Sequence, residues 1–328
     1  MMVNSAFPES RQQGVALVSI LLVVAIATVM AVSMITEQQG SIQATRAFLD
    51  RGQAQQYALG GEELARQILA EDFLAGDQLD RMSEAWADPE LHYDFEDGEL
   101  KLQITDLQGL FNVNNLADNG SGIARQRLNN LLVALGLDVS VADRVQDWVD
   151  SDTSMRPAGA EDYDYLIFEP PYRAANSAMA DVSEIALLGL EPDTYRQLRA
   201  HLAALPESRV RLNVNTATPV ALQSLAQGLS LDAAVSLAER RDEQEGFETV
   251  QAFLQAPELA GLGVAADGLG VQSSFFEIRV IARYQDRFSY LTSIVHRNAT
   301  DGSMRIIKRD FSRQFRPVST SSTGEGDA

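Results

Sequence analysis

Six carboxylates crowd one short stretch of this chain, DWVDSDTSMRPAGAEDYDY: Asp147, Asp150, Asp152, Glu161, Asp162 and Asp164. Pro157 and Gly159 in its middle predict a loop. If these acids converge, their repulsion raises their pKa values or calls for a compensating cation. Oxygen ligands on a flexible loop, with no His or Cys among them, suit a hard cation, calcium ahead of zinc. The EF-hand order, D-x-D-x-[DN]-G with a Glu twelve positions along, is absent. The bland reading stays open beside this one: a solvated acidic loop with Arg156 and Arg173 as partial counterions.

Other chemistry is thinly represented. The chain has no cysteine, which removes disulfides, thiolate zinc sites and Cys nucleophiles. His92, His201 and His296 are too scattered to suggest a His-based metal cluster, and they read as surface or strand residues. G-x-S-x-G, H-E-x-x-H and a glycine-rich phosphate loop after a strand are all missing. Two carboxylates ~5–9.5 Å apart could hydrolyse glycosides, but acids packed in one loop are a poor substitute for groups on opposite cleft walls. No enzyme is expected. A net charge of −20, from 46 acidic against 26 basic residues, disfavours nucleic acid and anionic surfaces.

The elements that must carry this loop begin with a membrane anchor. Val15 to Ile35 holds no charge and no proline, and it meets the ~20 residues needed to cross ~30 Å of hydrocarbon. Its apolar core is longer than that of a cleaved secretory signal, usually ~7–15 residues, and no A-x-A-like site closes it. A helical pattern continues to about Ala75 through Ile42, Leu49, Ala54, Tyr57, Ala58, Leu64, Ile68 and Leu69. Gly60-Gly61 predicts a kink or break within it, since each Gly costs up to ~1 kcal/mol in a helix interior. Strands are expected at 92–96 and 99–105 around an Asp97-Gly98 turn, then at 275–284, 287–297 and 303–311. Together they make an antiparallel sheet whose halves lie far apart in sequence, under a long helix: an α+β fold.

Residues 107–270 then form a helical insertion with an internal repeat, at about 107–150 and 208–255. Asn112-Val113-Asn114 is echoed by Asn213-Val214-Asn215, and Gly136-Leu137 by Gly228-Leu229. The second copy resembles a helix-hairpin-helix unit, which raises a rival function: membrane-tethered DNA binding of the competence type. Such hairpins usually read Gly-hydrophobic-Gly, so that backbone N–H groups can reach a phosphate. Here Ser230 and Asp138 replace the second Gly, and Arg240-Arg241 reads as a solvated helix face, so a packing module is the better reading.

A short polar leader ending in Gly14, followed at once by the apolar helix, resembles the type IV pilins and pseudopilins. The series D-W-x-D-x-D (147–152), G-A-E-D (159–162), P-Y-x-x-A-N (171–176) and D-x-S-E (181–184) resembles the K-type minor pseudopilins of type II secretion far more specifically. The resemblance implies a pilin-like fold with an inserted helical domain built of two helix-hairpin-helix, SAM-like repeats. It divides the chain into a leader (1–14), a transmembrane helix (15–35), the pseudopilin helix and first strands (36–106), the insertion (107–270, acidic loop 147–165), the remaining strands (271–316) and a disordered tail (317–328). It further implies cleavage by prepilin peptidase between Gly14 and Val15, with Val15 N-methylated, and calcium held by Asp150, Asp152, Glu161, Asp162 and Asp164. The fifth mature position, usually Glu in pilins, is Ser19 here, as befits a subunit with no neighbour above it. By the same resemblance the protein sits in the inner membrane with its globular part in the periplasm. It joins the I and J minor pseudopilins in capping the pseudopilus and supports export of folded proteins, without nucleic acid.

Overall fold

The computed structural model describes residues 13–89, 91–117 and 122–312. The leader as far as residue 12 and the tail expected at 317–328 lie outside the described residues, as does the side chain of Val15.

One uninterrupted helix, α1 (Gln13–Ala75), runs for 63 residues, about 95 Å at 1.5 Å per residue. Its first part has a mean hydropathy of 2.7 and none of that window is buried in the protein. Thr28 and Thr36 return their hydroxyls to the carbonyls of Val24 and Val32, so these polar groups are satisfied without water. The last third packs on the sheet. Ala54, Ala58, Gly61, Ala65 and Leu69 form one buried stripe at spacings of three and four. The expected kink at Gly60-Gly61 does not occur. A Cβ at Gly61 would stand 2.8 Å from Leu100 Cδ1 and Val280 Cγ1, so this glycine lets helix and sheet meet rather than breaking the helix. Glu62, on the same buried surface, accepts from Ser293 and pairs with Arg309 at 2.6 Å. Burial pushes its carboxyl up, but those partners hold it below the ordinary range.

The sheet has the order β1-β2-β7-β8-β9, antiparallel throughout. Its strands are β1 (Leu91–Phe95), β2 (Gly98–Asp106), β7 (Phe275–Tyr284), β8 (Arg287–Arg297) and β9 (Met304–Asp310). In β2 the alternation seen in sequence holds: Leu100, Leu102 and Ile104 face the core with Ile278, Val280 and Trp86. The first hairpin turns on Glu96-Asp97, one residue earlier than expected, because Phe95 pairs with Gly98. Gly98 serves a different need, since a Cβ there would collide with the Arg283 carbonyl of β7.

Asp106 pairs with Phe276 in the ladder, so the chain leaves and re-enters the sheet on adjacent strands. Everything between is the helical head. The buried Asp106 carboxylate closes its base, accepting from Gln108 N, Asn213 Nδ2, Thr216 Oγ1 and Ser273 Oγ. Burial lifts it to about 6 despite those donors.

Among the described residues two apolar cores carry the lobes of the head, and a smaller cluster of Leu107, Ala203, Leu205, Val210 and Phe275 joins the head to the sheet. The first holds β3 (Phe111–Asn112), α2 (Ile123–Ala134), α3 (Val141–Val149), α4 (Asp162–Tyr165), α5 (Pro192–Arg199) and β4 (Leu202–Ala203). The second holds β5 (Leu212–Asn213), α6 (Pro219–Gln223), α7 (Leu231–Glu243), α8 (Val250–Leu254) and β6 (Leu269–Gly270). The two-residue parallel pairs β3–β4 and β5–β6 are too short to leave a sequence signal. The Asn-x-Asn echo, in contrast, has a structural counterpart. Asn112 and Asn213 each accept from the backbone N–H two residues on, at Asn114 and Asn215. Asn114 then bonds Met179 N and the Leu205 carbonyl, and Asn215 bonds Phe247 N and O. Arg241 is not on a solvated face as expected: it is buried and donates to the Ala217 carbonyl, while Arg240 is exposed and pairs with Glu258.

Candidate metal centre

The acidic loop hangs between α3 and α4 on an aromatic floor. Trp148 meets Tyr165 edge-on at 5.2 Å, and Tyr165, Phe168 and Tyr172 stack beside it. Trp148 Nε1 donates to Glu184, which anchors that floor to the D-x-S-E segment.

The six acids divide by what their oxygens already do. Asp147 is fully buried and spent on the loop itself, accepting from Arg156 N, Ala160 N and the Arg156 guanidinium. A Cβ at Gly159 would lie 1.7 Å from Asp147 Oδ2, so the loop closes only because that residue is glycine. Asp162 accepts from Ala174 N and lies 3.5 Å from Arg173, and Asp164 accepts from Glu161 N at the start of α4. Asp152 is exposed and accepts from Ser154 N.

Asp150 and Glu161 are different. Asp150 Oδ2 pairs with Arg156 at 2.5 Å, but its buried Oδ1 has no hydrogen-bond partner. Neither buried carboxylate oxygen of Glu161 makes a well-formed hydrogen bond, although its side chain faces the Asp164 N–H in a capping box at the start of α4 and the Asn176 amide stands close; Asn176 Oδ1 and Tyr165 Oη lack partners as well. Leaving a charged oxygen buried and unmet costs several kcal/mol, so such groups are normally satisfied. Burial raises the Glu161 pKa; Asn176 stands close enough to temper this, and Asp147, Asp150 and Asp152 push it further up. Asp150 is likewise raised by burial and by Asp152 and Asp147, against the pull of Arg156. These carboxylates therefore share one electrostatic neighbourhood in which Arg156 is the nearby cation and acceptor oxygens remain over. That donor set is what a hard cation needs.

Of the five residues expected to ligate calcium, Asp150 and Glu161 offer empty buried oxygens, Asp152 stands beside them on the exposed rim, and Asp162 and Asp164 are braces of the loop. Asn176, the last residue of the P-Y-x-x-A-N motif, joins the first group through its side-chain oxygen. It takes a left-handed backbone, φ +44°, a conformation asparagine tolerates better than most residues.

Two further acidic groupings converge more tightly. His92 Nε2 lies 3.4 Å from Asp94 and 3.3 Å from Glu99 on the exposed first hairpin. Asp72, Asp80 and Glu84 have ligand atoms within 4.8 Å of one another at the end of α1. Arg297 already sits among the latter, paired with Asp72 at 3.3 Å and with Asp80, its guanidinium stacked over Phe276 at 4.8 Å.

Residues 109–207 and 212–272 match two family profiles, both described as Type II secretion system (T2SS), protein K. The first covers the lobe that carries the acidic loop, and the second covers the other lobe. The type II secretion system protein K of Pseudomonas aeruginosa is 34% identical over 96% of this chain and 97% of its own length. That of Klebsiella pneumoniae is 33% identical over 84% and 91%. In the crystal structure of the GspK-GspI-GspJ complex from enterotoxigenic Escherichia coli, one chain superposes with a TM-score of 0.74 at 26% identity, covering 83% of this chain and 100% of that one. An exposed apolar helix on an antiparallel sheet, a two-lobed head inserted between adjacent strands, and kinship along nearly the whole chain lead to one conclusion: this chain belongs to the type II secretion system protein K family.

Proposed function

We propose that this chain is the K minor pseudopilin of a type II secretion system, capping the pseudopilus tip with the I and J minor pseudopilins and initiating its assembly, so that folded proteins are exported across the outer membrane. The observation that carries the reading is the shape itself. An apolar rod fit for a filament core is continuous with a sheet whose β2–β7 junction bears a large head, which would hinder another subunit from stacking above. The rod begins as a single-pass inner-membrane anchor with the globular part in the periplasm. Prepilin peptidase cuts between Gly14 and Val15 and Val15 is methylated. Ser19 removes the carboxylate that other pilins present at that position. Ala25, Ala27, Ala31 and Ser33 let neighbouring helices approach closely.

Calcium is part of this proposal. Asp150 and Glu161 would hold it, with Asp152 and the Asn176 side-chain oxygen completing the protein's share, while Asp147, Asp162 and Asp164 shape the loop. The ion would supply charge compensation and a rigid loop, not catalysis. Each helix pair of the head is read as a helix-hairpin-helix-like packing module. Duplex DNA is disfavoured as its ligand: Ser230, which caps α7 through Ala233 N, stands where the second glycine of such a hairpin would let the backbone approach a phosphate, and Asp138, accepting from Ser140 N, sets a carboxylate there in the first hairpin.

Co-expression with I and J minor pseudopilins, followed by purification in detergent, tests the assignment. A ternary complex containing a chain that starts at Val15 is expected. A chain uncut at Gly14 that ignores both partners and shifts duplex DNA at physiological salt would overturn it.

A further inference from the structure

The first hairpin brings together an imidazole and two carboxylates far from the acidic loop of the head. Strand β1 is an edge of the five-stranded sheet, and residues two apart on it share a face. Leu91 and Tyr93 turn to the core beside α1, so His92 and Asp94 stand side by side on the other face. The ladder sets Asp94 directly opposite Glu99 of β2, and His92 opposite Lys101. Two like charges facing each other across strands are destabilising unless something compensates them. Here one nitrogen of His92 is aimed at both carboxylates.

The distances decide what that nitrogen suits. His92 Nε2 lies 3.4 Å from Asp94 Oδ1 and 3.3 Å from Glu99 Oε2, longer than the ~2.7–3.2 Å of a well-formed N–H···O bond. All three donor atoms fall within 4.8 Å of one another. Zinc binds imidazole nitrogen and carboxylate oxygen at ~2.0–2.2 Å, and tetrahedral angles then put neighbouring donors ~3.3–3.6 Å apart. Both separations from His92 match the edges of such a shell. Calcium asks for six to eight oxygens, so an imidazole with two carboxylates favours a transition metal over it. Glu99 is braced from its other side. Its Oε1 accepts from Arg283 Nε at 2.9 Å across the β2–β7 ladder, which leaves Oε2 to face His92. That hydrogen bond, helped by the charges of Arg283 and Lys101, holds the Glu99 carboxyl below its ordinary range, so it is ionised at neutral pH. Metal-ligating carboxylates are ordinarily hydrogen-bonded from behind in this way. The His92 and Asp94 side chains are 41% and 82% exposed, so an ion can reach them from solvent.

We propose that His92, Asp94 and Glu99 form a site for zinc on the edge hairpin, separate in place and in donor chemistry from the acidic loop. The ion would tie the edge strand β1 to β2 through side chains, with water in the remaining position. Lys101 and Arg283 stand near enough to temper its attraction, which limits the affinity but not the preference for zinc. The inference depends neither on the secretion reading nor on calcium.

The test is titration calorimetry of the full chain in detergent, without a polyhistidine tag, with zinc as the probe and millimolar calcium present throughout. It is repeated on His92→Gln and on Asp94→Asn, with melting in the absence of zinc as the check that each variant folds. One zinc per chain is expected, bound at least tenfold more weakly by either variant. No saturation up to about 1 mM zinc, or equal affinity in H92Q, as when His201 or His296 holds the ion instead, would overturn the proposal. Crystals of the unaltered chain grown with zinc give the answer without mutation. An anomalous peak bounded by His92, Asp94 and Glu99 supports the site, and zinc-saturated crystals with no ion there refute it.

Discussion

Two of the crowded acidic clusters among the described residues resolve their repulsion in opposite ways. At the end of α1, Asp72, Asp80 and Glu84 are met by Arg297, the Ser273 and Arg81 amides and the Trp86 indole. In the loop between α3 and α4, Arg156 engages Asp147 and one oxygen of Asp150, the other Asp150 oxygen is left without a donor, and Glu161 has no cation and no well-formed hydrogen bond, only the nearby Asp164 N–H and Asn176 amide. Acidic crowding alone therefore says little about a cation. The unmet buried oxygen does, because it marks charge that the fold has not compensated from its own side chains.

Removing the internal cation from the first cluster should have the largest effect. Arg297→Ala leaves buried carboxylates unpaired and is expected to cost about 3–5 kcal/mol in denaturant unfolding. Added calcium should not restore it; if millimolar calcium does, the two clusters are not different in kind.

The second cluster should answer to calcium instead. At a hundredfold excess over Kd a ligand that binds only the folded protein adds about 2.7 kcal/mol. Asp150→Asn should lose most of that gain while being no less stable than the unaltered protein in chelator. Full retention of the calcium response in this variant would remove Asp150 from the site.

A further effect separates the clusters by pH. Burial, then the charges of Glu84 and Asp80, lift Asp72 to about 7, against the pull of Arg297. Its folded pKa thus exceeds the unfolded value of about 3.9. The stability it contributes is complete below that lower value and is lost as pH rises through about 7. Asp72→Asn should raise the melting temperature at pH 8 and progressively less toward pH 5. A difference that grows toward pH 5 would contradict this. Asp164→Asn should be milder still, costing about 0.5–1 kcal/mol as a weakened helix start, with the calcium response intact.

The two clusters also differ in how far sequence could reveal them. The loop is local: Asp147 to Asp164 with Pro157 and Gly159 is visible as one word, and the long helix and the five-stranded sheet are legible from apolar run length and period-two alternation. Asp72, Asp80, Glu84 and Arg297 come together only because β8 lies against the end of α1, and no spacing announces that. Within the loop, type and position could nominate Asp150, Asp152, Glu161, Asp162 and Asp164 but could not divide them. The division follows from which backbone N–H groups point at which oxygen. Gly61 and Gly98 show the same limit: glycine read locally suggests a break or a turn, whereas here each permits close approach of another strand.

The measurement that bears most directly on the central claim is anomalous diffraction from crystals of the chain grown with millimolar calcium. A peak within ~2.3–2.6 Å of Asp150 Oδ1 and a Glu161 carboxylate oxygen is the predicted result. Crystals saturated with calcium that place no ion between those residues, or place one only at Asp72, Asp80 and Glu84, would contradict it.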